Sequence, residues 1–135
     1  MTAPELTRAE IMQMPPDELR LRVALLMGYR LETNCGIGGG SFWLGPNGEY
    51  PRLRDMAHLE DLPNFVDDIG AAWLVVERLR RLGAWISISI TPGALTWDVR
   101  GVIDERKDTE IRFIAHGESL PVAICRAALL EQKEQ

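Results

Sequence analysis

Side chains able to do chemistry recur at every second position in the later half of this sequence. Ser87 and Ser89 alternate with isoleucine in ISISI, residues 86–90, and Thr96, Asp98 and Arg100 alternate with Leu95, Trp97 and Val99. Arg112 falls in a third alternating run, 110–115, just ahead of His116. If each run is a strand, alternate side chains point to opposite faces, so Trp85, the two serines, Thr96, Asp98, Arg100 and Arg112 gather on one surface. Arginine pairs phosphates through a planar fork, and tryptophan or arginine stacks on a flat base. With Trp43, Arg52 and Arg54 nearby, such a surface suits a small, flat, anionic ligand. An ordinary solvated sheet face is the simpler alternative.

Other chemistries fit less well. The run Gly36-Ile-Gly-Gly-Gly40 offers backbone N–H groups to an anion, but a phosphate loop needs Gly-Lys-Ser or Gly-Lys-Thr entering a helix, whereas Ser41-Phe42-Trp43 reads as a strand. A flexible surface loop explains it. His58 and His116 are the only histidines, and neither has a His, Cys or carboxylate pair at zinc-binding spacing, so no metal or other cofactor is implied. His116-Gly117-Glu118 reads as a turn after the last strand, where a solvated imidazole is the default and a base would need a nucleophile the sequence does not identify. Cys125 sits among apolar residues as a small core side chain, and a bridge to distant Cys35 is the lesser alternative. Capping explains Asp67-Asp68, and solvation Glu60-Asp61, ahead of a cation site.

The elements that must position these residues are legible. Over 65–83, Ile69, Ala72, Trp73, Val76 and Leu79 recur at helical spacing, Val75 and Leu82 widen the stripe, and the stripe requires burial. Asp67 or Asp68 caps its start, Arg78, Arg80 and Arg81 complement the dipole at its end, and Gly83 supplies the left-handed stop. This helix is the expected organiser of the chain. Upstream, Thr7 and Glu10 have capping-box spacing for a short helix ending before Pro15-Pro16. Asp17 opens a second, with Leu19, Val23, Leu26 and Met27 inward, Arg20 and Arg22 in solvent, and Gly28 at its end.

Residues 29–32 begin a strand, and 41–44 with 49–53 flank the turn-forming Gly45-Pro-Asn-Gly48 as a hairpin carrying Phe42, Trp43 and Tyr50. Residues 54–64 connect, touching the core edge through Met56, Leu59 and Leu62. The three alternating runs then form an antiparallel meander with Ile86, Ile88, Ile90, Leu95, Trp97, Val99, Ile111 and Phe113 on its core face. A last helix starts at Ser119-Leu120-Pro121 and buries Leu120, Ala123, Ile124, Ala127 and Leu130.

With 135 residues and 46% hydrophobic content the chain can bury one core, and it reads as a single domain over 1–135, α+β, with a mostly antiparallel sheet. A formal net charge of -5 and a pI near 5.0 argue against general nucleic-acid binding. No apolar run approaches the roughly 20 residues of a membrane span and no signal peptide is evident, so a cytoplasmic protein with reduced thiols is expected.

The helix Asp68-Ile-Gly-Ala-Ala-Trp-Leu-Val-Val-Glu-Arg-Leu79, followed by Gly83 and strands, and the later Leu120-Pro-Val-Ala-Ile-Cys-Arg-Ala-Ala-Leu129 resemble the phage ABA-sandwich domain family. The 7–14 helix and Met27-Gly28-Tyr29 fit the same pattern. The resemblance implies a three-layer α/β/α sandwich encoded by a bacteriophage or prophage and acting in the host bacterial cytoplasm. It carries no catalytic residue onto this sequence. Helices covering both sheet faces would leave the polar face anomalous, so a partly open surface, a wet gap between helices or a subunit contact is expected. Three functions follow. The first is a non-enzymatic accessory protein that sequesters a small anionic, nucleotide-like host signal and so blunts antiphage defence. The others are a module that grips a host or phage protein, and a small hydrolase or transferase using His116 or an aspartate. A homo-oligomer is compatible with the first two.

Overall fold

The computed structural model describes residues 6–34, 40–47, 59–83, 85–91, 96–102 and 111–134. In chain order these form α1 (Arg8–Met12), α2 (Pro16–Leu26), β1 (Arg30–Asn34), β2 (Gly40–Leu44), a 3₁₀ turn (Leu59–Asp61) and α3 (Ile69–Arg81). Then follow β3 (Trp85–Thr91), β4 (Thr96–Val102), β5 (Ile111–Gly117) and α4 (Leu120–Glu134).

Helices begin and end where free backbone groups find partners. Thr7 Oγ1 accepts from the Glu10 N–H at 3.1 Å and Glu10 Oε1 accepts from the Thr7 N–H at 3.2 Å, the capping box that the spacing predicts. Asp68 Oδ1 accepts from the Gly70 N–H at 2.9 Å and opens α3. Gly28 and Gly83, at φ 101° and 93°, close α2 and α3 in the left-handed region. α2 opens at Pro16, one residue before Asp17, because the N–H that proline lacks has no helical partner at that position anyway.

The organiser of the fold is α4, not α3. It packs on β4 and β5 and also against α1, α2 and α3. Besides Ala123, Ile124, Ala127 and Leu130 it buries Val122, Cys125, Ala128, Leu129 and Glu131, so that within 122–131 only Arg126 is partly exposed. Its alanines let neighbouring elements approach from several sides.

α3 buries Ala72, Val75, Val76 and Leu79 but leaves Ile69, Trp73 and Leu82 about half exposed, against expectation. A helix advances about 100° per residue. The four buried side chains therefore form an arc centred on Ala72 and Leu79, and Ile69 and Trp73 fall beyond its edge. Arg20, expected in solvent, is half-buried instead. Its Nη2 and Nε donate to the Leu62 and Pro63 carbonyls at 2.5 and 3.2 Å and tie α2 to the turn before α3. Arg22 stays at the surface, paired with Glu18 one turn earlier at 3.3 Å.

β2 pairs antiparallel with β1, Arg30 opposite Leu44 through Asn34 opposite Gly40. The expected partner run 49–53 lies outside the described residues, as do Met56 and Leu95. The second sheet has the order β3-β4-β5, antiparallel throughout, with Ser89 opposite Asp98 and Asp98 opposite His116. On its inner face Val99, Phe113 and Ala115 are buried beneath α4, and the Phe113 ring fills the space that a side chain at Gly101 would need. Ile86 and Ile88 are partly buried on the same face, whereas Ile90, near the end of an outer strand, is 52% exposed. At the opposite side of the sheet, the Ile114 and His116 carbonyls of β5 accept from Arg8 Nη2 at 2.7 Å and Arg126 Nη1 at 2.8 Å.

Candidate functional site

The outer face of β3-β4-β5 follows from register. Ser87 stands opposite Arg100, Ser89 opposite Asp98, and Asp98 opposite His116, so these side chains share one face. Ser87, Ser89, Arg100 and His116 are exposed, and Asp98 alone among them is buried, at 6% of its full exposure.

A buried carboxylate is costly unless it is hydrogen-bonded, and here both oxygens are. Thr91 Oγ1 donates to Asp98 Oδ2 at 2.5 Å, and His116 Nδ1 bonds Asp98 Oδ1 at 2.5 Å. The hydrogen bond from Thr91, then that from His116, hold the Asp98 carboxyl below the usual aspartate value despite burial, with smaller help from the charges of His116 and Arg100. An ionised carboxylate only accepts, so His116 Nδ1 carries the proton and the ring is fixed in direction, with Nε2 as its other polar atom. The imidazole side chain remains 48% exposed. One face of the sheet thus presents an oriented imidazole, a guanidinium and two hydroxyls.

His116 is consequently a strand residue and not a turn residue. Its orientation comes from Asp98, a partner that the 110–115 boundary put out of reach. Thr91, which the Thr91-Pro92-Gly93 spacing assigns to the turn, is instead the last residue of β3, opposite Thr96 and so diagonal to Asp98 across the hairpin. Trp43 does not belong to this surface. It is 7% exposed within the core cluster, its indole Nε1 unpartnered among the described residues, because β2 turns that side chain inward. Arg112 occupies β5 by its backbone, but its side chain, together with Arg52, Arg54, His58, Cys35 and 36–39, lies outside the described residues.

Elsewhere the chemistry is quiet. The Cys125 thiol is free and fully buried, donates to the Phe65 carbonyl at 3.2 Å, and is pushed up to about 12 by burial, which makes it a core residue. Among the described residues no group of three or more His, Cys, Asp or Glu side chains could hold a metal ion, and no helix is long and apolar enough to cross a membrane.

The family model described as the phage ABA sandwich domain matches residues 44–129, well over half of the chain. Among solved structures, the chain is similar to a phage protein from Bacillus cereus ATCC 14579, known from a 2.0 Å crystal structure. The two share 18% identity at a TM-score of 0.57, over 98% of this chain and 95% of that one. At that identity the likeness concerns the fold. No curated protein matches the chain. Among the described residues, four helices with antiparallel sheets of two and three strands make an α+β sandwich, and the chain belongs to the phage ABA sandwich domain family.

Proposed function

We propose that this phage-family protein binds a small anionic ligand on the outer face of β3-β4-β5 without transforming it. The observation that carries the reading is the buried Asp98, whose two oxygens are both engaged and whose visible consequence is a fixed imidazole on an open surface. Arg100 supplies the charge for an anionic group, Ser87 and Ser89 supply hydroxyls, and His116 reads a third point of the ligand through Nε2. A nucleotide signal of the host is the kind of ligand whose sequestration would serve a phage. The acidic balance of the whole chain argues for a partner smaller than a nucleic-acid backbone.

Isothermal titration with linear and cyclic nucleotides tests this. Saturable heat lost in Arg100→Gln and in His116→Ala is expected, and silence across the panel overturns it. One observation favours a second reading. With Nδ1 bonded to the Asp98 carboxylate, Nε2 is the ring nitrogen left for a substrate, the arrangement in which an aspartate-oriented imidazole serves as general base. Turnover of any panel member, abolished in His116→Ala, would make the protein a hydrolase or transferase. A third role, gripping a host or phage protein through this face, predicts co-purification that Arg100→Gln weakens.

A further inference from the structure

Arg78 is half-buried on α3, and its Nε is buried without a hydrogen-bond partner among the described residues. No ion pair among those residues involves it. Attraction to the helix dipole explains a cation in the last turn, but a guanidinium N–H withdrawn from water and left unpaired is unfavourable. Arg78 lines a groove of about 400 Å³ between the end of α2, the Pro46-Asn47 turn and α3. Small-molecule sites commonly have volumes of roughly 300–1,000 Å³.

The walls match one kind of occupant. Tyr29 stands edge-on to buried Phe65, ring centroids 6.4 Å apart, and both line the groove. Leu74 and Leu82, each about half exposed, add apolar surface that the chain's own core leaves uncovered. Exposed Arg81 stands on the same wall as Arg78, and Glu77 offers one acceptor. Cationic forks beside aromatic and aliphatic surface suit a ligand that is charged at one end and flat and apolar at the other.

We propose that this groove is a second ligand site, independent of the sheet face, for a small molecule carrying one phosphate or carboxylate on a flat apolar body. The anion sits on Arg78 and Arg81, the body lies against Tyr29, Leu74 and Leu82, and Glu77 accepts from a hydroxyl or amine of the same molecule.

Amide chemical shifts of the isotope-labelled full chain, titrated with phenyl phosphate, benzoate and uncharged benzyl alcohol, test it. Saturable shifts are expected at Tyr29, Leu74, Arg78, Arg81 and Leu82 with at least one anion, whose identity then names the preferred group. Any shift at Asp98 or His116 should follow a separate saturation curve, because the two sites are independent; one common curve overturns the proposal. Arg78→Gln and Arg81→Gln should each weaken binding about tenfold, a change of roughly 1.4 kcal/mol, while Asp98→Asn should not. Arg81 is exposed, so Arg81→Gln keeps the test intact should Arg78→Gln unfold the chain. Absence of saturable shifts with both anions overturns the proposal. Equal binding of benzyl alcohol, or undiminished binding by Arg81→Gln, does the same.

Discussion

The two faces of the β3-β4-β5 sheet are built from the same strands by opposite means. On the inner face Val99, Ala115 and Phe113 are covered by α4, and burial itself supplies the stabilisation. On the outer face Ser87, Ser89, Arg100 and His116 remain in water, and the buried group, Asp98, is held by hydrogen bonds from Thr91 and His116. One face is held by shape, the other by directed contacts. Alternation in a strand tells which residues share a face, whereas coverage of that face depends on elements elsewhere in the chain.

Substitutions should separate the two. Phe113→Ala removes a ring packed between α4 and Gly101, and should cost about 3–5 kcal/mol in urea denaturation, close to the whole stability of many domains. Gly101→Ala adds one methyl on the same face where that ring already lies, and should cost about 1–3 kcal/mol through overpacking. Should it prove neutral, the ring has room to move and the inner face is less tightly fitted than described.

Asp98→Asn acts on the other face and through pH. The folded-state pKa of Asp98 is depressed, so its contribution is complete above the unfolded value of about 3.9 and is lost as pH falls through the lower folded value. Thermal melts between pH 7 and pH 2 should therefore show a shallower acid limb in Asp98→Asn than in the parent. An unchanged limb would mean that the outer face contributes nothing through its carboxylate. The smallest effect is expected from Ser89→Ala, within about 0.5 kcal/mol of the parent, because an exposed hydroxyl beside a satisfied carboxylate leaves nothing unpaired when removed.

Local chemistry was readable from the sequence; relations between distant segments were less so. Thr7, Asp68, Gly28 and Gly83 act within a few residues of themselves, so capping rules place them. The isoleucine alternation gave the meander and its inner face. Trp73 misled because a helical repeat of apolar residues fits two overlapping arcs, and only the packing of α4 selects the one through Val75. α4 was underrated because its alanines weigh little in a hydrophobic stripe yet permit contact with most of the fold. Of the polar face, Ser87, Ser89, Asp98 and Arg100 follow from alternation. The link from Thr91 through Asp98 to His116 depends on two registers and on the irregularity between Gly101 and Val102, which no local rule supplies.

The arginines of α1 and α4 that donate to β5 give the sheet a direction. A foreign strand arriving there must compete with Arg8 and Arg126 for the Ile114 and His116 carbonyls. One arriving at β3 meets Trp85–Thr91, a stretch without a single charge, beside which β4 is the sole strand neighbour among the described residues. Self-association by strand addition would therefore extend the molecule one way only, and a lysine introduced at Ser87 or Ser89 is where an engineer would stop it.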